Sequence, residues 1–229
     1  MDTVMADRIS SLVTDVRRGL GGYADPAYVP GTETARKPSK PILGVRIPLL
    51  RGTVKAALKA ACAGTVNSTL VFGAADTLWH GEKHEEELAA AMMVRLAELT
   101  MPAATIRRWA KLLDNWLSVD ELSGVVGTSL TTDPPLLGQL RGLADSPSPW
   151  QQRLYVVSLI RPIQLGLSPA DVPGLVALLE SNEQPVRNAS LWLIREALKK
   201  RPEAAGQFRD LLPGPQPKPL IRILDRALV

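Results

Sequence analysis

A single cysteine, Cys62, leaves no intramolecular disulfide to form in this 229-residue chain. That favours the cytoplasm, and Cys62, inside the small-residue run AALKAACAG, is expected as a small buried hydrophobe. The two histidines, His80 and His84, both fall in the polar run HGEKHEEE, so a Ser-His-Asp arrangement has nothing to draw on. They stand at helical i, i+4 spacing beside glutamates, but no further ligand set accompanies them. The run therefore reads as a solvated helix start rather than a metal site. No stretch approaches the ~18 apolar residues that span a bilayer. The opening MDTVMADRISSLV carries acids where a secretory signal needs a basic region and an apolar run, so it is not expected to act as one. GLGG at 19–22 reads as a helix stop, and no phosphate loop or dinucleotide fingerprint is present. Two Phe, three Tyr and no alternating β-branched run give strands little to build from.

What is abundant is Ala and Leu recurring with a period near 3.6, the pattern of an all-α chain. Hydrophobic residues make up 45% and charged ones 22%, a balance that suits a packed globular fold. Helix starts are well marked. Pro48 stands in the first turn of RIPLLRGTVKAALKAAC. Ser148 precedes Pro149 in SPSPWQQRLYVVSLI, and Ser168 precedes Pro169 in LSPADVPGLVALLES. Further helices are expected over 3–20, 67–79, 84–99, 102–114, 119–130, 134–144, 185–200, 203–211 and 218–228. Residues 29–40 and the Pro-rich 213–219 read as loop or linker. Ten or more helices joined by Pro/Gly/Ser turns fit stacked antiparallel pairs. Trp116, Trp150 and Trp192 recur at spacings of 34 and 42, close to the ~40-residue period of HEAT-type repeats. The expected architecture is an all-α right-handed superhelix of HEAT-like pairs with a concave binding face. It forms one domain over 1–229, in which residues 1–40 supply an N-terminal helix and linker that cap the stack.

Charge is unevenly spread under a net +4. Residues 1–60 carry ten Lys/Arg against five Asp/Glu, residues 61–194 nine against fourteen, and residues 195–229 eight against four. Basic ends around an acidic middle suit a chain that curls its ends onto a polyanion; an unevenly charged solvated surface is the plainer reading.

One segment, DNWLSVDELS at 114–123, gathers candidates. Ser118-Val119-Asp120-Glu121 has the spacing of a capping box, which makes Ser118 the N-cap and Asp120 the second helical residue. A carboxylate there sits in the positive end of the helix dipole and stays ionised at neutral pH. Glu121 would then turn back to the Ser118 amide, and Trp116 would lie just outside the helix. A cap with a tryptophan packed under the turn is the bland alternative. Arg153 falls near the start of its helix. Trp192 is offset from the stripe Val186, Ala189, Leu193, Ala197, where an indole needs a cover. Trp79 and Trp150 read as packing residues.

Five elements in register, LGVRIPLLR (43–51), LW (78–79), NWLSVD (115–120), WQQR (150–153) and NASLWLIRE (188–196), resemble the AlkD-type family of bacterial DNA alkylation-repair glycosylases. The resemblance covers about 42–200. It implies a HEAT-like superhelix that cradles duplex DNA on a basic concave face, and functional residues at Trp116, Asp120, Arg153 and Trp192. Arg46, Arg51 and Arg187 join Arg153 as candidate DNA contacts. The chain departs from the family pattern at Asn188, where lysine is common, at Leu191, where glycine is, and in RKPSKPI, where an aromatic-rich approach is usual. These departures bear on the DNA grip and on the preferred lesion.

The implied activity is hydrolysis of the N-glycosidic bond of positively charged N3- or N7-alkylated purines in double-stranded DNA. The implied enzyme is a cytoplasmic, nucleoid-associated monomer that needs no cofactor or metal. A non-catalytic module that binds branched or distorted DNA, or a helical protein-interaction scaffold, are the competing readings.

Overall fold

The computed structural model describes residues 3–31, 38–62, 64–212, 214 and 218–227. Two stretches of the expected linkers, 32–37 and most of 213–217, lie outside these. Among the described residues the chain is all α, with fourteen α-helices packed against neighbours and no strand, the organisation of a helical repeat. No helix is long and apolar enough to cross a membrane among them. Two compact units divide the chain, residues 1–99 with 114–125, and residues 100–113 with 126–229.

The first unit holds α1 (Thr3–Gly22), α2 (Ile47–Cys62), α3 (Ser68–Trp79) and α4 (His84–Leu96). The N-terminal part of the helix over 116–132 completes it. Leu12, Val16 and Leu20 fall on one face of α1 and are fully buried against α2 and α3. Leu78 and Trp79 close the core from α3, Met92 and Met93 from α4. Asn67 caps α3 by accepting from the Leu70 amide at 2.9 Å. Cys62, at the end of α2, is half-buried rather than in the core.

The largest departure from expectation is HGEKHEEE. His84, Glu85, Glu86 and Glu87 are not solvated but 1–6% exposed. Each carboxylate in this first turn of α4 grips a different segment. Glu85 accepts three backbone amides, from Leu43 (2.9 Å), Gly44 (2.8 Å) and Val45 (3.2 Å). Glu86 takes a forked pair from Arg17 of α1 at 3.0 and 2.8 Å. Glu87 meets Lys40 at 2.7 Å. The α4 N-terminus is positive, so buried negative charge is stabilised there, and full pairing offsets its desolvation.

The second unit begins with α5 (Ala103–Ala110) and takes in the C-terminal part of α6 (Trp116–Thr132). It is α6, through Val125, that completes the first unit. There follow α7 (Leu136–Gln139), α8 (Arg141–Ala144), α9 (Pro149–Ser158), α10 (Ile160–Gln164), α11 (Leu175–Leu179), α12 (Gln184–Leu198), α13 (Ala204–Asp210) and α14 (Lys218–Ala227). The single helix expected over 134–144 is two one-turn pieces, because Gly138 and Gly142 weaken it. Ser168 does accept from the Ala170 amide, yet only a 3-10 turn follows. Pro173 lacks an amide proton and Gly174 is left-handed (φ 76°), so the helix restarts at Leu175.

Pro162 separates α9 from α10, since its ring excludes the carbonyl of Ser158. That freed carbonyl packs on Gly127 of α6, where a Cβ would stand 2.8 Å from the oxygen. Gly127→Ala is therefore expected to cost about 1–3 kcal/mol through overpacking, read as a lower denaturation midpoint at unchanged slope.

Candidate active site

Asn115, not Ser118, caps α6. Its Oδ1 accepts from the amides of Leu117 and Ser118, both at 3.0 Å, and Asn115 is fully buried. The N-cap thus lies three residues earlier than expected, and Glu121, paired with Arg95, does not close a capping box. Trp116 is the first helical residue and Asp120 the fifth, one turn beyond the strongest part of the helix dipole. The helix dipole, which acts on the first turn, therefore bears less on Asp120 than it would under a Ser118 cap. Asn fills the cap as well as Ser because both offer a short side-chain oxygen; only tertiary contacts chose between them. Ser118 is instead turned inward, its hydroxyl donating to Glu87 Oε2 at 2.8 Å.

The residue before the cap is anchored as well. Asp114 accepts the Ser39 amide at 2.8 Å and the Asn115 side-chain amide at 2.8 Å. Burial pushes its pKa up, but these hydrogen bonds and nearby His84 outweigh burial and hold it below the ordinary aspartate value. A depressed folded-state pKa contributes stability above the unfolded value, and that contribution is lost as pH falls through the folded one. Wild type and Asp114→Asn are therefore expected to differ in urea midpoint at neutral pH and to converge only as pH falls below the ordinary aspartate range.

At 100° per residue, Ser118, Glu121 and Leu122 share one side of α6, and Trp116 and Asp120 share the other. Ser118 and Leu122 are buried, Trp116 is 37% exposed and Asp120 is half-buried. Glu121 does not reach back to the cap. It pairs with Arg95 of α4 and feels the charge of Arg51 on α2. Burial raises the Glu121 pKa, the two arginines oppose that, and the charge of Asp120 adds to it.

Of the expected DNA contacts in this unit, Arg51 is exposed on α2, on the side that reaches Glu121 electrostatically. Arg46 is exposed too, over the Tyr28 ring (5.3 Å to the centroid) and 3.9 Å from Asp25. Lys40 is tied to Glu87 and donates to the Trp79 carbonyl at 2.9 Å.

In the second unit the structure brings Arg153 and Trp192 together. The guanidinium lies 6.0 Å from the indole centroid, and Nη1 donates to the Pro185 carbonyl at 3.1 Å. Arg153 is 8% exposed and sits on the second turn of α9. Trp192 is offset from the buried stripe Val186, Ala189, Leu193, Ala197, as its spacing suggested, and Arg153 is what covers it. Arg187 and Asn188 are exposed in the first turns of α12. Arg201 donates to the carbonyls of Ile163 (3.2 Å) and Leu167 (2.7 Å), a structural tie.

Sequence reasoning missed Asn115, Glu87, Lys40 and Arg95. Three acids at a helix start were the available signal, and their burial is a tertiary property. Among the described residues no group of three or more His, Cys, Asp or Glu is placed to hold a metal ion. No curated protein shows significant similarity to the chain. The model of the family described as DNA alkylation repair enzyme, by contrast, matches residues 16–210, which include every candidate residue named above. The chain belongs to the DNA alkylation repair enzyme family.

Proposed function

We propose that this protein is a DNA glycosylase that hydrolyses the N-glycosidic bond of cationic N3- and N7-alkylpurines in duplex DNA, acting as a monomer. The observation that carries the reading is Trp116 and Asp120 one turn apart on the same side of α6, in a chain of a DNA alkylation repair family. An alkylated purine that already bears positive charge is a good leaving group and needs no enzyme acid. What remains is to stabilise the sugar as it gains oxocarbenium character and to place a water. Asp120 performs both tasks as a carboxylate beside that sugar. The indole of Trp116 faces the cationic nucleotide, a contact of about 0.5–2 kcal/mol.

Glu121 is not an acid for the leaving group, because it is committed to Arg95 on the opposite side of the helix. Neutral lesions, which require protonation of the departing base, are accordingly poor substrates. Arg153 grips a backbone phosphate, oriented by Trp192 and the Pro185 carbonyl, with Arg46, Arg51 and Arg187 as further phosphate contacts. Losing one charge-assisted contact of about 1.5–3 kcal/mol predicts that Arg153→Ala weakens DNA binding by roughly 10–100-fold. A fluorescence titration at fixed salt measures this. The function itself is tested by incubating the protein with duplex DNA carrying 7-methylguanine. Free base and an abasic site are the expected products. Salt-dependent binding without release would instead identify a binding module.

A further inference from the structure

The side of α6 facing away from Trp116 and Asp120 is held by two links from a single neighbour, α4. Ser118 donates to Glu87, and Glu121 pairs with Arg95. On α6 the two anchor points are one turn apart on one ridge; on α4 they are eight residues apart, about 12 Å at 1.5 Å per residue. Links so separated resist rotation of α6 about its own axis as well as sliding along it. The first link is itself fixed. Glu87 is 3% exposed and held by Lys40, and Asn115 also donates to the Ser118 hydroxyl at 3.1 Å. The Arg95 guanidinium lies along α6 at Gly124, where a Cβ would stand 3.6 Å from Nη1.

We propose that Glu87–Ser118 and Arg95–Glu121 form a two-point clamp that sets the rotation of α6 and thereby aims the Asp120 carboxylate. The four are positioning residues. The proposal rests on the reading of Asp120 as the catalytic carboxylate. Side-chain ends lie about 5–6 Å from a helix axis, so a turn of ~10–15° displaces the carboxylate by roughly 1–1.5 Å. A misplacement of that size is worth about 10²-fold in rate.

The test uses Ser118→Ala, Ser118→Thr and Glu121→Gln in the full chain, with 7-methylguanine duplex as the probe. Single-turnover release, DNA affinity and thermal midpoint are measured for each. The expected result is release slowed about 10–100-fold for Ser118→Ala and Glu121→Gln, at a DNA affinity within about twofold of wild type. Ser118→Thr, which keeps the hydroxyl, restores most of the rate. If Ser118→Ala does not fold, Ser118→Cys takes its place under the same criteria. A folded variant with wild-type release, or rate and affinity falling together, overturns the clamp. A wild type that releases no base brings down the functional reading and the clamp with it, whereas normal release by wild type and clamp variants alike brings down the clamp only.

Discussion

Asp120→Asn is expected to slow release of 7-methylguanine by about 10²–10³-fold, the cost of removing one preorganised charge from a developing transition state. The substitution keeps size and hydrogen-bonding capacity but removes the charge that opposes the oxocarbenium-like sugar. Asn is also a worse partner for a water that must lose a proton. DNA affinity should hold or rise slightly, because a carboxylate near phosphates repels them. The signature is therefore a loss in rate without a loss in binding, measured by single-turnover release and by titration of the same duplex. Trp116 works through a contact of about 0.5–2 kcal/mol, so Trp116→Ala should cost only about 2–30-fold. Undiminished release by Asp120→Asn would remove this carboxylate from the mechanism.

Glu85→Ala is expected to produce the largest loss of stability, about 3–5 kcal/mol, the cost typical of breaking a buried, charge-assisted network. Glu85 is 2% exposed, and its two oxygens take the amides of Leu43, Gly44 and Val45. Alanine leaves these three donors without their acceptor in a site where unsatisfied groups cost about 1–3 kcal/mol each. Gly44 shows how closely the loop is bound: its φ is +83°, and a Cβ there would run into the Asp25 carbonyl. Glu85→Gln should be milder, since one oxygen survives. Denaturation curves for the two variants check both values. A Glu85→Ala loss below about 1 kcal/mol, the range of ordinary surface substitutions, would show that the LGV segment is held by other means.

The helices themselves were largely legible, and for local reasons. Periodicity placed α1, α2, α3, α4 and α12 to within a few residues, and the stripe Val186, Ala189, Leu193, Ala197 proved to be the buried side of α12. Errors fell where a local rule had two equally good solutions. Ser118 and Asn115 both qualify as caps. The hydrogen bond from Ser118 to Glu87, residues 31 apart in sequence, turns Ser118 inward and leaves the cap to Asn115. Nothing within DNWLSVDELS registers that partner.

The charged run HEEE is the clearest case. Locally it is a hydrophilic helix start, and burial of three adjacent carboxylates is costly unless each finds a partner. The partners are Arg17, Lys40 and the amides of 43–45, which lie 40 or more residues away. Covalent order and side-chain chemistry were enough to specify an all-α chain and its helix rhythm, while the candidates Trp116, Asp120, Arg153 and Trp192 were singled out as a set by the resemblance to the AlkD-type family. Tertiary structure alone decided which polar groups are buried, where α6 begins and which side of α6 is packed away from Asp120. A hydrogen bond or ion pair between distant segments exists only once the chain has closed the loop between them, so no local window carries its energy.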